Sequence, residues 1–190
     1  MPRFFSKIVP KIAPVIAALF AVLLFAAPAM AAASDKLDPE NTIYLDLKDG
    51  RVVIKLRPDL APKHVAQIKA LTRQGFYNGL TFHRVIDGFM AQTGDPTGTG
   101  AGGSTLPNIP AEFSKAHFAR GTVGMARASD PGSANSQFFI MFADGGFLDG
   151  QYTVWGEVVS GMDHVDKIAR GEPPANPDKI IKMQVAADAK

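Results

Sequence analysis

One short segment, FHRVIDGFMAQTGD, combines residue types that could bind a ligand through a cation and an apolar surface together. It carries Arg84, then Phe89 and Met90, then Gln92, with the turn-forming pair Asp87-Gly88 in between. If the two halves are paired strands, alternation can place Arg84 and Gln92 on one face with a large apolar side chain. Such a surface favours a bound ligand, but an arginine whose aliphatic stem merely covers the core gives the same pattern. The segment alone leaves both interpretations open.

Other short motifs do not support nucleotide, metal or hydrolytic chemistry. Residues 98–103 match G-x-G-x-x-G, but Pro107 and Pro110 follow where dinucleotide binding requires a helix. These glycines predict a tightly turning loop whose backbone can approach a ligand. The histidines show neither H-x-H nor H-E-x-x-H spacing and the chain has no cysteine, so we expect no metal and no cofactor. Ser133 and Ser136 lie outside any G-x-S-x-G motif, which argues against a hydrolase.

The elements that would position these residues are those of a mainly β protein. Short apolar runs alternate with turn-rich stretches, and two segments carry an apolar stripe at helical spacing. Strands that mostly follow one another in sequence favour a closed eight-stranded antiparallel β-barrel, capped by two α-helices, over a parallel sheet. The predicted strands are 42–47, 51–57, 80–86, 89–93, 121–126, 137–142, 151–159 and 180–187, and the predicted helices are 62–74 and 162–170.

The first 33 residues have the pattern of a secretory signal peptide. Three basic residues precede an uncharged apolar stretch that ends at Ala33, and small residues there permit A-x-A cleavage before Ser34. We therefore expect residues 1–33 to be removed and residues 34–190 to act as one periplasmic domain, with no membrane contact after cleavage. The alternative is an uncleaved anchor, because the apolar stretch is just long enough to span a bilayer.

The composition indicates a globular protein that does not bind nucleic acid. Hydrophobic residues make up 46% of the chain and charged residues 20%. The formal net charge of +2 derives from the basic residues of the leader. Residues 34–190 are close to neutral and lack the basic surface that phosphate binding demands. No pattern indicates a coiled coil or a large interface, so we expect a monomer.

Several motifs follow one another along the chain. They are FHRVIDGFMAQTGD at 82–95, GTVGMARA at 121–128, NSQFFI at 135–140, FLDG at 147–150 and VWGEV at 154–158. In this order, over about residues 42–185, they resemble the cyclophilin-type peptidyl-prolyl cis-trans isomerases, in their exported bacterial branch. The resemblance implies an eight-stranded barrel with two capping helices and an active groove on its outer face.

The resemblance also implies a role for each site residue. Arg84 is the catalytic residue, assisted by Gln92, and Arg127 acts through its main chain where many relatives carry Asn. The glycines at 100–103 border a neighbouring pocket. Phe147 stands where many eukaryotic members have Trp, and both residues are aromatic. The implied substrate-binding residues are Phe89, Met90, Ala126, Arg127, Ala128, Gln137, Phe139, Phe147, Leu148 and Tyr152.

The implied activity is acceleration of rotation about X–Pro peptide bonds, with proline-containing polypeptides and unfolded exported proteins as partners. This rotation makes and breaks no bond, so a catalyst needs only groups that favour the twisted geometry over both planar ones. Two alternatives stay open. The same groove could belong to a non-catalytic chaperone module that holds proline segments, or the barrel could carry an apolar ligand, which requires an open interior.

Overall fold

The computed structural model describes residues 36–190, so the predicted signal peptide at 1–33 lies outside the described residues. Within the described part, no helix is long and apolar enough to cross a membrane. The strands are β1 (Thr42–Leu47), β2 (Gly50–Leu56), β3 (Arg84–Ile86), β4 (Met90–Thr93), β5 (Thr122–Met125), β6 (Phe138–Met141), β7 (Val154–Ser160) and β8 (Lys182–Val185), and the α-helices are α1 (Pro62–Arg73) and α2 (Met162–Val165). Most of these bounds lie close to the predicted segments, but β3, β8 and α2 are about half as long as predicted or less, and β7 begins three residues later than predicted.

All eight strands belong to one antiparallel sheet in the order β3-β4-β6-β5-β7-β2-β1-β8. Three of the seven neighbouring pairs are also consecutive in sequence, as in the β1–β2 hairpin, where Leu47 pairs with Gly50. The register shifts once between β2 and β7 and once between β5 and β7. Such irregularities increase the local twist and help the sheet to curl.

The prediction of a closed barrel is wrong, because the curled sheet stays open between its edge strands β3 and β8. Within residues 36–190, no ladder joins these edges, and the adjacent segments form one isolated bridge between Thr81 and Lys179. The outer edge of β3 is taken by the loop before β8, since Val85 exchanges both backbone hydrogen bonds with Gly171. A three-residue strand whose free edge is occupied cannot pair with β8. The result is a mainly β half-barrel.

Helix α1 forms as the sequence predicts. It begins at Pro62, whose missing N–H is not needed in the first helical turn. Its apolar stripe of Val65, Ile68 and Leu71 is buried where the helix packs against β7 and β8. The helix therefore covers one side of the curled sheet.

Helix α2 is shorter than the predicted segment 162–170. After Val165 the backbone tightens into a turn, in which the Ile168 N–H donates to the Val165 carbonyl. The next N–H, of Ala169, donates to the Asp178 carboxylate at 2.8 Å instead of to the helix. Because this side chain takes the donor that a longer helix would need, the α-helix ends early.

The two faces of the sheet carry separate apolar clusters. The inner cluster includes Phe138, Tyr77 and Trp155, whose rings meet edge to face at centroid distances of 5.5 and 5.4 Å. Large side chains thus fill the interior, which argues against the apolar-carrier alternative. The outer cluster holds Phe139, next to Phe138 on β6, and is built from Met90, Phe118, Phe139, Met141, Leu148 and Val154.

Candidate functional site

Four neighbouring strands place the central residues of the groove in one row. Arg84 on β3 pairs with Gln92 on β4, Gln92 pairs with Phe139 on β6, and Phe139 pairs with Gly124 on β5. Directly paired residues of antiparallel strands project to the same face of the sheet. The register therefore sets the guanidinium, the amide and the aromatic ring side by side on the outer face.

Gly124 leaves the space that the Phe139 ring occupies. A β-carbon at this position would collide with Phe139 Cζ and would lie 2.6 Å from Cε1 of Phe118. The rings of Phe118 and Phe139 instead stack with a centroid separation of 5.9 Å. The missing side chain on β5 thus lets the Phe139 ring form the floor of the groove, with the fully buried Phe118 ring packed behind it.

A cavity of about 400 Å³ lies over this floor and is called the proline niche below. Its walls are mostly apolar and aromatic, while Arg84, Gln92, Arg127 and Gln151 supply polar groups. The lining residues are Arg84, Phe89, Met90, Gln92, Ala126, Arg127, Phe139, Phe147, Leu148, Gln151 and Tyr152. An apolar space of this kind suits a small hydrophobic ring with one polar edge.

Aromatic contacts hold the walls of the proline niche. The Tyr152 ring meets the Phe139 ring edge to face at 5.9 Å. On the opposite side, the Phe89 and Phe147 rings are 5.4 Å apart. Phe147 is 66% exposed. Exposing a large apolar side chain to water is unfavourable, so this exposure favours a ligand that covers the ring.

Arg84 lies where its charge can act on a ligand in the niche. Its side chain is 42% exposed, and its Nε donates to Oε2 of Glu172 at 3.3 Å. The contact with Glu172 uses Nε, so the two terminal nitrogens remain available as donors. Next to it, Gln92 is oriented by donating from Nε2 to Oε1 of Gln137 at 2.9 Å.

A second cavity of about 570 Å³ adjoins the niche and is called the side pocket below. The glycine-rich loop forms one wall, because Gln137 Nε2 donates to the carbonyls of Gly100 and Gly102 at 3.0 and 2.8 Å. The buried Asp95 carboxylate holds the same loop by accepting hydrogen bonds from the backbone N–H groups of Thr97 and Gly100. Burial by itself would raise the Asp95 pKa, but hydrogen bonds from Thr97, Gly102 and Gly100 lower it to about 2.

The Arg127 side chain separates the two cavities, since it lines both. Its Nη1 donates to the carbonyls of Ala128 and Ser129, and its Nη2 donates to the Gln151 carbonyl at 3.0 Å. The guanidinium also lies 4.6 Å from the centroid of the Tyr152 ring. Beyond the main-chain role implied by the resemblance, this side chain ties the 126–129 edge to the wall of the niche.

The loop that carries Phe147 and Leu148 is fastened by an ionic cluster. His117 Nδ1 lies 2.7 Å from Asp149 Oδ2, and His117 Nε2 lies 2.6 Å from Asp144 Oδ2. These contacts with Asp149 and Asp144 raise the His117 pKa and lower the pKa values of both carboxyls. The cluster fixes both ends of the segment that contributes Leu148 to the niche.

The predicted site residues come together in space. Each lines either the proline niche or the side pocket, with Ala128 and Gln137 in the side pocket. Their catalytic and binding roles remain predictions. Sequence reasoning missed Glu172, Gln151 and the His117 cluster. Glu172 and His117 lie outside the quoted motifs, and Gln151 directly follows the motif at 147–150, where no local pattern gives it a role.

Comparisons with known proteins show the family of this chain. The family model described as "Cyclophilin type peptidyl-prolyl cis-trans isomerase/CLD" matches residues 42–185. A Brucella suis protein named "Probable peptidyl-prolyl cis-trans isomerase" is 60% identical over 190 residues, covering 92% of this chain and 95% of the relative. The "Peptidyl-prolyl cis-trans isomerase-like 1" of Aspergillus oryzae is 36% identical over 157 residues, covering 77% of this chain and 96% of its own.

Solved structures give the same result. The crystal structure of a cyclophilin from Hirschia baltica has a TM-score of 0.75 and 30% identity, covering 81% of this chain and 77% of that one. A Cryptosporidium parvum cyclophilin-type isomerase, crystallised in the presence of the dipeptide Ala-Pro, has a TM-score of 0.70 and 28% identity. The match covers 76% of this chain and 98% of that one. From the matched family model, its relatives and its fold, this chain belongs to the cyclophilin-type peptidyl-prolyl cis-trans isomerase family.

Proposed function

We propose that this chain isomerises X–Pro bonds with the proline ring in the niche and Arg84 as the catalytic residue. The observation that carries the proposal is the shared lining: the guanidinium of Arg84 borders the same 400 Å³ cavity as the rings of Phe89 and Phe139. The partners are proline-containing polypeptides. The related Cryptosporidium parvum protein, crystallised with Ala-Pro, supports this class of ligand.

The reaction requires a twisted amide. In the planar X–Pro amide the nitrogen lone pair is delocalised into the carbonyl, and rotation meets a barrier of about 18–20 kcal/mol. At the twisted state the conjugation is lost and the lone pair returns to the prolyl nitrogen. A catalyst accelerates rotation if it binds this pyramidal nitrogen more tightly than either planar form.

The Arg84 guanidinium supplies a donor that fits the twisted nitrogen. It is a rigid, permanently charged fork, and Glu172 occupies Nε rather than the terminal nitrogens. A terminal N–H can therefore bond the lone pair that appears only during rotation. Because the donor is already held in place, little reorganisation is needed in the transition state.

Arg84 alone does not supply the full acceleration. A millionfold rate increase requires about 8 kcal/mol at about 1.36 kcal/mol per tenfold. A hydrogen bond to a charged group typically contributes about 1.5–3 kcal/mol. We assign the rest of the barrier reduction to two effects. The proline ring is anchored between Phe89, Met90 and Phe139 while the preceding carbonyl turns, and water is excluded from the niche.

Arg84→Ala tests this mechanism. We expect turnover of an Ala-Pro peptide, measured by NMR exchange, to fall about ten- to hundredfold, because one charged hydrogen bond is lost only in the transition state. Peptide affinity, measured by NMR titration, falls much less. Arg84→Lys serves as the matched control, since it keeps the charge without the fork and should recover only part of the rate. An unchanged exchange rate in Arg84→Ala would remove Arg84 from the mechanism.

We also propose that the protein assists the folding of exported proteins in the periplasm as a monomer. The leader pattern of residues 1–33 supports export, and the isomerase family supports action on proline-limited folding steps. Cell fractionation should find the protein in the periplasm with its N-terminus near Ser34. At substoichiometric amounts, the protein should accelerate the proline-limited phase of a refolding protein, whereas a holding chaperone would slow folding or need equimolar amounts.

A further inference from the structure

The lining of the side pocket carries a single positive charge and no negative charge. Its polar lining consists of neutral amide and hydroxyl side chains together with the backbone of the glycine-rich loop. Arg127 is the one charged residue among those that line it. The neutral polar residues are Gln92, Ser104, Asn108, Ser133, Asn135 and Gln137.

Most of these neutral groups already bond to one another. Asn135 Oδ1 accepts from the N–H and the hydroxyl of Ser104, and its Nδ2 donates to Asn108 and to the Leu106 carbonyl. Gln137 is likewise held between Gln92 and the glycine-rich loop. The wall is therefore fixed before a ligand arrives, and Nδ2 of Asn108 has no bond to any described residue. A preorganised wall with spare donors favours a ligand that brings acceptors.

The charge of Arg127 is not neutralised by an acid. Its hydrogen-bond acceptors are the carbonyls of Ala128, Ser129 and Gln151, which carry no net charge. Among residues 36–190, no carboxylate oxygen lies within 4.0 Å of its guanidinium, whereas Arg84 has Glu172 as an ionic partner. Since the Arg127 side chain is half-buried, solvent screens its charge less than that of a fully exposed cation.

The side pocket is continuous with the proline niche. Gln92, Ala126 and Arg127 line both cavities, so an extended peptide with its proline in the niche runs past Arg127. An extended chain advances at most about 3.3–3.6 Å per residue, which puts a side chain close to the proline within reach of the side pocket. The residue selected there is therefore a near neighbour of the proline.

We propose that the side pocket selects substrates with an acidic side chain near the proline, and that Arg127 is the residue that determines this preference. The proposal rests on the proposed function, since it assumes that the proline ring occupies the niche. A carboxylate placed there meets the uncompensated guanidinium and the donor of Asn108. A lysine or arginine meets a like charge and no acid.

The test compares peptides that differ only in one residue near the proline. Glu, Gln or Lys is placed in turn at each of the two positions on either side of an Ala-Pro core, with kcat/KM measured by NMR exchange and Kd by titration. At one position we expect Glu to exceed Lys about three- to tenfold at low salt, the range of two exposed charge contacts. Added salt should shrink the ratio, since it screens exposed charges.

Variants assign the preference to Arg127. Arg127→Asn should bring the Glu-to-Lys ratio close to one, and Arg127→Lys should keep part of it, because the charge remains. Arg51→Ala is the matched control: it removes the same charge from β2, where Arg51 pairs with Asp46, and should leave the ratio unchanged. A ratio near one in the wild type, or a ratio that persists in Arg127→Asn, overturns the proposal.

The result also separates this proposal from the proposed function. If Arg84→Ala keeps full turnover while the Glu preference holds in both kcat/KM and Kd, the mechanism fails and the side pocket stands. If Arg127→Asn does not fold, the proposal is still tested by the salt dependence of the wild-type Glu-to-Lys ratio and by that ratio in Arg127→Lys. A wild-type ratio that salt does not change counts against charge selection.

Discussion

At the scale of single residues, the contact between Arg84 and Glu172 decides how the guanidinium faces the niche. Glu172 accepts from Nε of Arg84 at 3.3 Å and is itself 50% exposed. Rotation of the guanidinium about its stem would otherwise let the terminal nitrogens leave the cavity. In the proposed mechanism, Glu172 is thus a positioning residue for Arg84.

Glu172→Ala should lower kcat for an Ala-Pro peptide by up to about fivefold, because an exposed ion pair contributes up to about 1 kcal/mol. KM should change little, since Glu172 does not line the proline niche. Glu172→Gln keeps an oxygen acceptor and should recover most of the rate. NMR exchange at several peptide concentrations separates kcat from KM.

The control for that pair of variants is Glu157→Gln, which removes one negative charge from β7 outside the niche. It should leave kcat unchanged. An equal fall of kcat in Glu157→Gln would show that net charge, not the position of Glu172, sets the rate.

Arg84 and Gln92 of the row could be predicted from the sequence, and Glu172 could not. Both lie, with Phe89, in one short segment, where strand alternation and the resemblance both apply. Glu172 approaches Arg84 from 88 positions further along the chain. Only the fold brings these two together, since Gly171 next to Glu172 pairs with Val85 of β3.

At the scale of elements, the loop after β6 depends on His117 for its shape. Each ring nitrogen of His117 faces a carboxylate, Asp144 at one end of the loop and Asp149 at the other. Both contacts are hydrogen bonds only if both nitrogens carry a proton. Further bonds, from the N–H of Phe118 to Asp149 and of Gly146 to Asp144, hold the carboxylates in place.

This geometry predicts that the free energy of unfolding depends on pH through His117. The contacts with Asp149 and Asp144 raise the His117 pKa in the folded state. The stabilisation is therefore complete below about pH 6.5, the ordinary value, and is lost as the pH rises through the raised pKa. Burial lowers the pKa values of His64 and His83, which acts in the opposite direction between pH 6 and pH 9. Urea unfolding should therefore show a loss of stability over this range in the wild type relative to His117→Gln, and KM for the peptide should rise with that loss.

His117→Gln should remove that pH-dependent component. The matched control is His164→Gln on α2, which lies outside the loop. In the wild type, Nδ1 of His164 lies 3.5 Å from Oδ2 of Asp163. This control should show the same change of stability with pH as the wild type. If His117→Gln also shows the same change with pH as the wild type, the loop is not fastened by the imidazolium.

The types of the elements could be predicted from the sequence, whereas the end of α2 and the open edge of the sheet could not. Local patterns are enough for α1, because Pro62 and the apolar stripe are adjacent in sequence. The end of α2 is set by Asp178, a distant side chain that takes the Ala169 N–H. The open edge of the sheet is likewise set by a loop residue, because Gly171 pairs with Val85 on the free edge of β3. Tertiary contacts of this kind have no local sequence signal.

At the scale of the whole molecule, one curled sheet separates the larger apolar cluster from the proposed site. Its inner face holds the larger cluster, with Phe138 fully buried between Tyr77 and Trp155. Its outer face holds the smaller cluster, with Phe139 under the open niche. Strand β6 contributes to both, so the adjacent Phe138 and Phe139 have nearly the same burial but belong to different clusters.

Phe138→Leu and Phe139→Leu test this separation with the same chemical change on opposite faces. Phe138→Leu leaves a closed void among aromatic rings and should lower the free energy of unfolding by about 1–3 kcal/mol, below the typical cost of Phe→Ala. Phe139→Leu opens its void to the groove, where water or neighbouring side chains can fill it, and should cost less. Urea unfolding measures both changes.

Activity should follow the opposite order. At a temperature where both variants are fully folded, Phe138→Leu should keep kcat/KM for an Ala-Pro peptide close to the wild-type value. Phe139→Leu should weaken peptide binding and slow turnover together, because the ring that forms the floor of the niche is gone. NMR exchange and titration on the same samples give both quantities. Equal losses of kcat/KM in the two variants would mean that the faces of the sheet are coupled and that the inner cluster also shapes the site.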